Sequence, residues 1–442
     1  MRVFARLSLA LVLLAVLLSG CTGATPTPAS VPPTQAPAVK PAEPTAAPAT
    51  VDTLRFTWFT DGPDQPAIEA VIKDFEVQNP DIKVELSIVP YAELNQLLTT
   101  QAEAGKAPDL ARVSEPYRFF NYTLDLKPYL KDATFPQAFL DDAMAITSGP
   151  KGEVYGIPHD FTLNGPFINV SLVTKAGLEL PKGDKVTWQE WVDLAKKVKQ
   201  ATGVPYAVAV DRSGHRLDGF IQAMGGGYFT PDGKDVRINS PETKKAIDYF
   251  VNLNKDGTMP LEVWAGGGQG YADAKQLFVN QQLVFYVSGN WQMAFFNSTI
   301  GDKFEWKAVS NGFEQQYGSM PGGKFVIAFK NTKTPEKVAR LMEYLGSKKA
   351  MADYVSKALF LPTRKDLVKE GLQYPMRSDD MGVFVKDIAN LPKSAYVDNY
   401  NFTFGPVANE VRDRVTQAIV DQMTVDQALE AAQTKAKELI KQ

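Results

Sequence analysis

Hydrophobic and polar positions change period several times along this chain. Residues 51–59 form a mostly apolar run that reads as a strand. Residues 66–79 then place Ile68, Val71, Ile72 and Phe75 on one helical face until Asn79-Pro80 stops the helix. Ile82, Val84, Leu86 and Ile88 alternate as a second strand, 91–104 reads as helix, and 109–113 as a short third strand. This β-α-β-α-β order predicts a largely parallel sheet covered by helices on both faces, with its strand ends at one edge. To that edge the first strand delivers Trp58, Thr60 and Asp61, and the third delivers Ser114, Glu115 and Tyr117.

Further on, 152–158 reads as a hairpin or strand entry. His159-Asp160-Phe161-Thr162, ahead of 167–169, reads as a first crossing between two lobes. The strongest helix signal covers 187–201, where Thr187 and Glu190 make a capping box and Trp188, Trp191, Leu194, Ala195 and Val198 a buried stripe. A strand follows at 206–210, a helix at 218–224, and Ser240-Pro241 opens a helix that runs to Asn254. The glycine-dense run from Trp264 to Gly270 lacks the Lys-Ser/Thr pair of a phosphate loop. It is read as a mobile loop carrying Trp264 to a ligand, or as a plain connector. Residues 275–296 read as a short helix, a buried strand over 283–287, and a break at Ser288-Gly289-Asn290 before Trp291. A glycine closing a parallel strand there would project Trp291 from the carboxyl edge of the sheet, where open α/β sheets hold ligands; a core cap is the alternative. The chain ends with a strand at 325–329, a helix from Thr334-Pro335, an aromatic cluster of Tyr396, Tyr400, Phe402 and Phe404, and a last helix with a Thr424/Gln427 capping box.

The first 50 residues are of another kind. Arg2 and Arg6 precede an apolar run from Leu7 to Leu18 that is too short to span a bilayer, and small residues then lead to Cys21. Residues 1–20 therefore read as a signal peptide, and Leu18-Ser19-Gly20-Cys21 resembles a bacterial lipobox, whose cysteine becomes a lipidated N-terminus. Cys21 is the sole cysteine, so neither an internal disulfide nor a cysteine-rich metal site is available. Residues 21–50 are rich in Thr, Pro and Ala, with Lys40 and Glu43 the only charges, and read as a solvated tether. The chain carries a net charge of −3, and removal of Arg2 and Arg6 with the leader takes it to about −5. That mild acidity, without a long basic block, argues against nucleic acid as a partner. About 390 residues remain after the tether, too many for one core and enough for two lobes.

Several landmarks together resemble the sugar-binding family of extracellular solute-binding lipoproteins that serve ATP-driven importers, the family that includes maltose-binding protein. They are Gly156-Ile157-Pro158 with Asn169, Thr187-Trp188-Gln189-Glu190-Trp191 with Leu194-Ala195-Lys196-Lys197, and Leu283 through Trp291. Pro321-Gly322-Gly323, Leu361-Pro362-Thr363-Arg364 and Thr424 through Leu429 continue the series in the family's order. The resemblance implies an α/β, two-lobe, class II periplasmic-binding-protein fold, each lobe a mainly parallel sheet flanked by helices. Lobe 1 would hold 51–160 plus about 318–362, and lobe 2 would hold 161–317 plus about 363–442. It implies a monomeric, lipid-anchored extracytoplasmic binder, without a cofactor, that delivers a sugar to a membrane permease. Trp291 would lie on a sugar face, and the Trp58 to Asp61 and Glu115 to Tyr117 loops would supply polar contacts. The segment with His159, Asp160 and Thr162 would be the crossing loop, and Tyr400 would fall near the site. Val113 stands where an aromatic would be and Thr162 where a carboxylate would be, which argues against maltodextrin as the ligand.

The residue chemistry suits carbohydrate without the analogy, because sugars offer CH-rich faces to aromatic rings and hydroxyl edges to amides and carboxylates. Trp58, Trp264 and Trp291 with Asp61, Glu115, Asp160 and Asn290 supply that mix. A glycoside hydrolase would need two carboxylates paired across a cleft, and no motif pairs them; no nucleophile motif is present, and His159 and His215 are too far apart in sequence to suggest a metal pair. The nearer rival is another solute. No Tyr-Tyr pair of the iron-binding kind occurs, while Asp61, Glu115 and Asp160 with Trp291 imitate a polyamine site.

Overall fold

Eight strands organise the protein in a computed structural model that describes residues 51–60, 64–266 and 272–441. They are β1 (Asp52–Trp58), β2 (Ile82–Ile88), β3 (Leu110–Val113), β4 (Gly156–Asn169), β5 (Tyr206–Val210), β6 (Leu283–Gly289), β7 (Trp306–Ala308) and β8 (Pro321–Ala328). Their order is β2-β1-β3-β8-β4-β6-β5, with β7 on β4. Parallel pairing holds where helices connect the strands, in β2-β1-β3 and in β5-β6. The pairs made by β8 and β4 are antiparallel.

Strand β4 carries the architecture, because all fourteen of its residues are buried and its two halves belong to different sheets. Gly156 through Leu163 pair with β8, and Asn164 through Ile168 pair with β6. The handover falls between Leu163 and Asn164, inside the stretch expected to cross between lobes. On one side, Leu54, Phe56 and Trp58 pack against Ile68, Val71 and Phe75 of the helix Gln65–Gln78 and against Val338, Leu341 and Tyr354. On the other, Trp188, Trp191, Phe220, Phe285 and Phe296 share a second core. Trp191 stacks on Phe285 with 5.5 Å between centroids, so both tryptophans of that helix are core, as their spacing predicts.

Local signals hold where partners are near in sequence. Both capping boxes form, Thr187 with Glu190 and Thr424 with Gln427, and Ser240 accepts from the Thr243 amide at 3.3 Å. The third helix of the second half begins earlier than its apolar pattern suggests, at Gly214 rather than near Asp218. Strand β8 likewise takes in Pro321-Gly322-Gly323 ahead of the apolar residues that mark it.

Candidate ligand-binding cleft

A cleft of about 480 Å³ opens where the two halves meet. One wall comes from the loops after β1 and β3, which present Phe59, Thr60, Ser114, Glu115 and Tyr117, with Tyr91 from the neighbouring helix Tyr91–Glu103. The floor is Thr162 on β4 and Gly322, Gly323 and Lys324 on β8. The other wall is His215, Arg216 and Trp291, joined by Asn399, Phe404 and Gly405. Of the residues singled out from sequence, Thr60, Glu115, Tyr117, Thr162 and Trp291 line this cleft. Asp61 and Cys21 lie outside the described residues.

Trp291 is placed by what precedes it. Gly289 closes β6 opposite Asn164 with an extended backbone, so no left-handed turn demands glycine there. The requirement is steric: a Cβ at Gly289 would run into the six-membered ring of Trp291 and come within 2.7 Å of the Leu163 carbonyl. The Arg216 guanidinium stands over the indole, 4.3 Å from its centroid. It also donates to the Ser213 hydroxyl at 3.3 Å.

The opposite wall is polar and internally paired. Glu115 is ion-paired with Arg118 and accepts from Asn95 Nδ2 at 3.3 Å, and the Tyr91 and Ser114 hydroxyls are 3.1 Å apart. Burial, and then the Glu115 charge, push the Tyr117 hydroxyl well above the usual tyrosine range, so it remains a neutral donor and acceptor. On the floor, Lys324 donates to Thr162 Oγ1 at 3.3 Å and Thr162 donates to the Gly322 carbonyl at 2.8 Å. His215 puts Nε2 3.2 Å from the Pro321 carbonyl; burial, and then the Arg216 charge, push its pKa down to about 3, so the ring is neutral and Nε2 donates. At the rim, Phe402 is 60% exposed and sets its ring 5.3 Å from Tyr117 and 5.7 Å from the Arg118 guanidinium. Those contacts join the segment after Asn399 to the loop after β3.

Six of the expected contact residues do not line the cleft. Trp58 continues the inward face of β1 after Leu54 and Phe56, is fully buried, and donates to Asp64 at 3.0 Å. His159 and Asp160 also turn inward. Adjacent strand residues normally point to opposite faces, but the β4–β8 register shifts between Pro158 and Asp160, and this irregularity lets both meet one partner cluster. Asp160 takes Arg112 through both of its oxygens at 2.9 and 3.0 Å, and His159 Nδ1 lies 3.1 Å from the same carboxylate. Arg112 is fully buried, its guanidinium 4.6 Å from the Trp58 ring and 4.7 Å from the Phe59 ring, and it donates to the Phe59 carbonyl at 2.8 Å. The ion cluster thus holds the cleft-lining Phe59 from behind.

Trp264 belongs to the short helix Leu261–Ala265, packs 4.8 Å from Phe250 and donates to the Val210 carbonyl at 2.9 Å, which makes it core rather than a ligand-carrying loop residue. Asn290 accepts from the Leu163 amide and donates to the Leu359 carbonyl, at 2.8 and 2.9 Å, and so ties down the crossing strand. Tyr400 lies beneath the floor, its ring 5.4 Å from Phe325. Sequence reading missed Phe59, Tyr91, His215, Arg216 and Lys324. Phe59 was recoverable from the alternation of β1, whereas the other four come from three elements without a shared motif: Tyr91 from the helix Tyr91–Glu103, His215 and Arg216 from the helix Gly214–Ala223, and Lys324 from β8.

Comparison with known proteins agrees with this architecture. The Multiple sugar-binding protein of Streptococcus mutans is 24% identical over 327 residues, 69% of this chain and 73% of that protein. The Arabinooligosaccharide-binding protein of Bacillus subtilis is 26% identical over 234 residues, covering 51% of this chain and 52% of its own. An ABC substrate-binding protein from Listeria monocytogenes, solved in complex with cycloalternan, matches with a TM-score of 0.72 at 21% identity, over 88% of this chain and 99% of that one. The cyclic alpha-maltosyl-1,6-maltose binding protein from Arthrobacter globiformis gives 0.73 at 19% identity with the same coverage. The two-lobe α/β fold follows from these likenesses. The model of the bacterial extracellular solute-binding proteins matches residues 60–352, and the chain belongs to that family.

Proposed function

We propose that this protein captures a sugar or oligosaccharide outside the cytoplasm and presents it to the membrane permease of an ABC importer. The observation that carries the reading is the cleft itself. Trp291 shares it with Phe59, Tyr91 and Tyr117, and hydroxyls, an amide and backbone groups fill the spaces between the rings. Flat apolar surfaces interleaved with hydrogen-bonding groups match the two kinds of surface on a pyranose. Two relatives are named for binding sugars, which supports the same reading.

A polyamine fits less well. Of the three carboxylates that would imitate such a site, Asp160 is locked on Arg112 and Glu115 is paired with Arg118, while Asp61 lies outside the described residues. The same pairing disfavours a glycosidase, since Glu115 is the sole carboxylate among the described lining residues and a hydrolase needs two. We therefore read the protein as a binder rather than an enzyme.

We divide the folded part into 51–160 with about 318–362, and 161–317 with about 363–442, and we take lipidation of Cys21 as the anchor to the outer face of the membrane. Ligand contacts to both lobes would supply the free energy of closure. The test is a thermal-shift screen of the mature protein against oligosaccharides and polyamines, since a ligand that binds only the native state raises Tm. A shift with a sugar and none with spermidine is expected; the reverse would reject the sugar reading.

A further inference from the structure

We propose that Asp218 and Asp398 share a single proton, and that the hydrogen bond so formed positions one wall of the cleft by clamping the helix that presents His215 and Arg216 to the segment that ends at Asn399. Both carboxyls are fully buried and meet side chain to side chain between the helices Gly214–Ala223 and Lys393–Asn399. Asp398 is well supplied with donors: Oδ2 accepts from Gln222 Nε2 at 2.9 Å and from the Tyr228 amide at 2.7 Å, and Oδ1 from the Phe229 amide at 3.3 Å. Asp218 is not, because no N–H or hydroxyl of another residue hydrogen bonds either of its enclosed oxygens. Two ionised carboxylates in contact there would leave Asp218 both desolvated and repelled. One proton between them removes both penalties, since Asp218 then carries no charge and donates to Asp398.

The surroundings favour that proton. Arg237 faces the pair and its charge favours ionisation, but it donates to the Phe229 and Gly226 carbonyls at 2.9 and 2.7 Å. Arg412, the ionisable side chain on the buried face of the helix Phe404–Ile419, stands beyond Tyr228 and donates to Asn409 and Asp413. The buried face of the helix Pro241–Lys255, packed on that of Asp218, has no ionisable group. Of the elements packed on the helix of Asp398, β8 brings Lys324, which donates to Thr162, and the helix Asp141–Ala145 brings Asp142, which acts on Tyr396, and Asp141, which pairs with Lys365. Burial, and then the Asp398 charge, prevail over Arg237 and hold the Asp218 carboxyl protonated well above the usual carboxylate range. The pair lies directly behind the cleft: His215 precedes Asp218 by one helical turn on the same face, and Asn399 follows Asp398. Tyr228, whose amide is held by Asp398, gives its hydroxyl to the Gly214 carbonyl at 2.8 Å and stacks on the cleft-lining Phe404. Arg216 in turn stands over Trp291. When the proton passes to solvent, the carboxylates repel and the two sides of this wall separate.

The test needs no ligand, so its outcome is independent of the sugar reading. The mature full chain is labelled with fluorotryptophan, the Trp291 resonance is identified with Trp291→Phe, and fluorine NMR is followed beside infrared absorption and Tm as pH rises from about 6 to about 10. An unfolded chain holds neither proton above about pH 4, so the shared proton is taken up on folding, and the stability it brings is present at low pH and lost as pH rises through the folded value. The wild type should keep a protonated-carboxyl band at about pH 8 that is missing from Asp218→Asn, and its Trp291 resonance should shift as that band disappears. Asp218→Asn supplies a permanent donor to Asp398; its Trp291 resonance should match the wild type at neutral pH and stay in place on the alkaline side. Asp218→Leu, close in size but without a donor, should show a displaced resonance throughout. Absence of the protonated-carboxyl band from the wild type would overturn the shared proton. The same Trp291 resonance in all three proteins would overturn the positioning role, and so would an alkaline shift that survives in Asp218→Asn. Should Asp218→Asn fail to fold, the wild type decides alone: a band lost without any movement of Trp291 refutes the proposal.

Discussion

The contact between Gly289 and Trp291 gives the sharpest handle on the cleft. With Arg216 over the indole, a ligand can cover no more than about half of the ~200 Å² a tryptophan can bury. At about 25 cal/mol per Å², that half corresponds to roughly 2.5 kcal/mol, and Trp291→Ala is expected to weaken ligand binding by about 2 kcal/mol, near 30-fold in Kd. Gly289→Ala leaves the indole chemically intact but puts a methyl where the ring sits, so the ring must move. We expect it to lose much of the same affinity, about 1–2 kcal/mol, with a stability loss of about 1–3 kcal/mol from overpacking beside the Leu163 carbonyl. The decisive assay is a double-mutant cycle by calorimetry, with Tm followed in parallel. In the Trp291→Ala background, Gly289→Ala should cost less than about 0.5 kcal/mol of further binding energy, because the ring it displaces is gone. Additive losses would show that Gly289 acts through the strand, and an unchanged Kd in Trp291→Ala would take the indole out of the binding surface.

Four further outcomes are expected. Arg112→Ala leaves Asp64 and Asp160 buried without their shared cation and should lower the unfolding free energy by about 3–5 kcal/mol in urea titrations, far more than any surface charge deletion. Phe402→Ala removes the rim contact to Tyr117 and Arg118 and should raise the ligand off-rate in stopped-flow measurements, with little change in Tm; an unaltered off-rate would deny the rim a role in retention. His215 has a folded pKa of about 3 against an ordinary 6.5, so the unfolded chain binds the extra proton first. The stability it contributes is present above about pH 6.5 and is lost as pH falls toward 3, and His215→Gln should flatten that part of the pH–stability curve. Thr187→Ala breaks a capping box and should cost about 1 kcal/mol by chemical denaturation.

What the sequence disclosed divides by the range of the interaction. Capping boxes, the Trp188/Trp191 stripe and the helix-strand-turn run into Trp291 are settled by neighbours within a few residues, and each stands where its pattern put it. Trp58 stands at a strand end, but its alternation with Leu54 and Phe56 assigns it to the inward face, and burial follows the alternation rather than the position. His159 and Asp160 were beyond reach for another reason, since a register shift breaks the period-two rule that assigns faces, and nothing in the local composition marks it. Trp264 borders a glycine-rich run, and spacing alone does not distinguish a loop anchor from a core residue. Arg216 and Lys324 line the cleft from elements more than 100 residues apart in the sequence, so no local motif announces them.

The pairing of β8 bears on how the chain can be made. Val113 of β3 lies opposite Phe325, whose codon is read roughly 200 residues later, and Leu110 lies opposite Ala328. A polypeptide emerging N-terminus first, from a ribosome or a translocon, therefore cannot complete its first sheet until nearly three-quarters of it has appeared. Through that interval β3 has an unpaired edge, and a chain released before β8 would expose it to other chains. Premature termination anywhere between β4 and β8 should thus yield aggregates or degradation rather than an isolated first lobe.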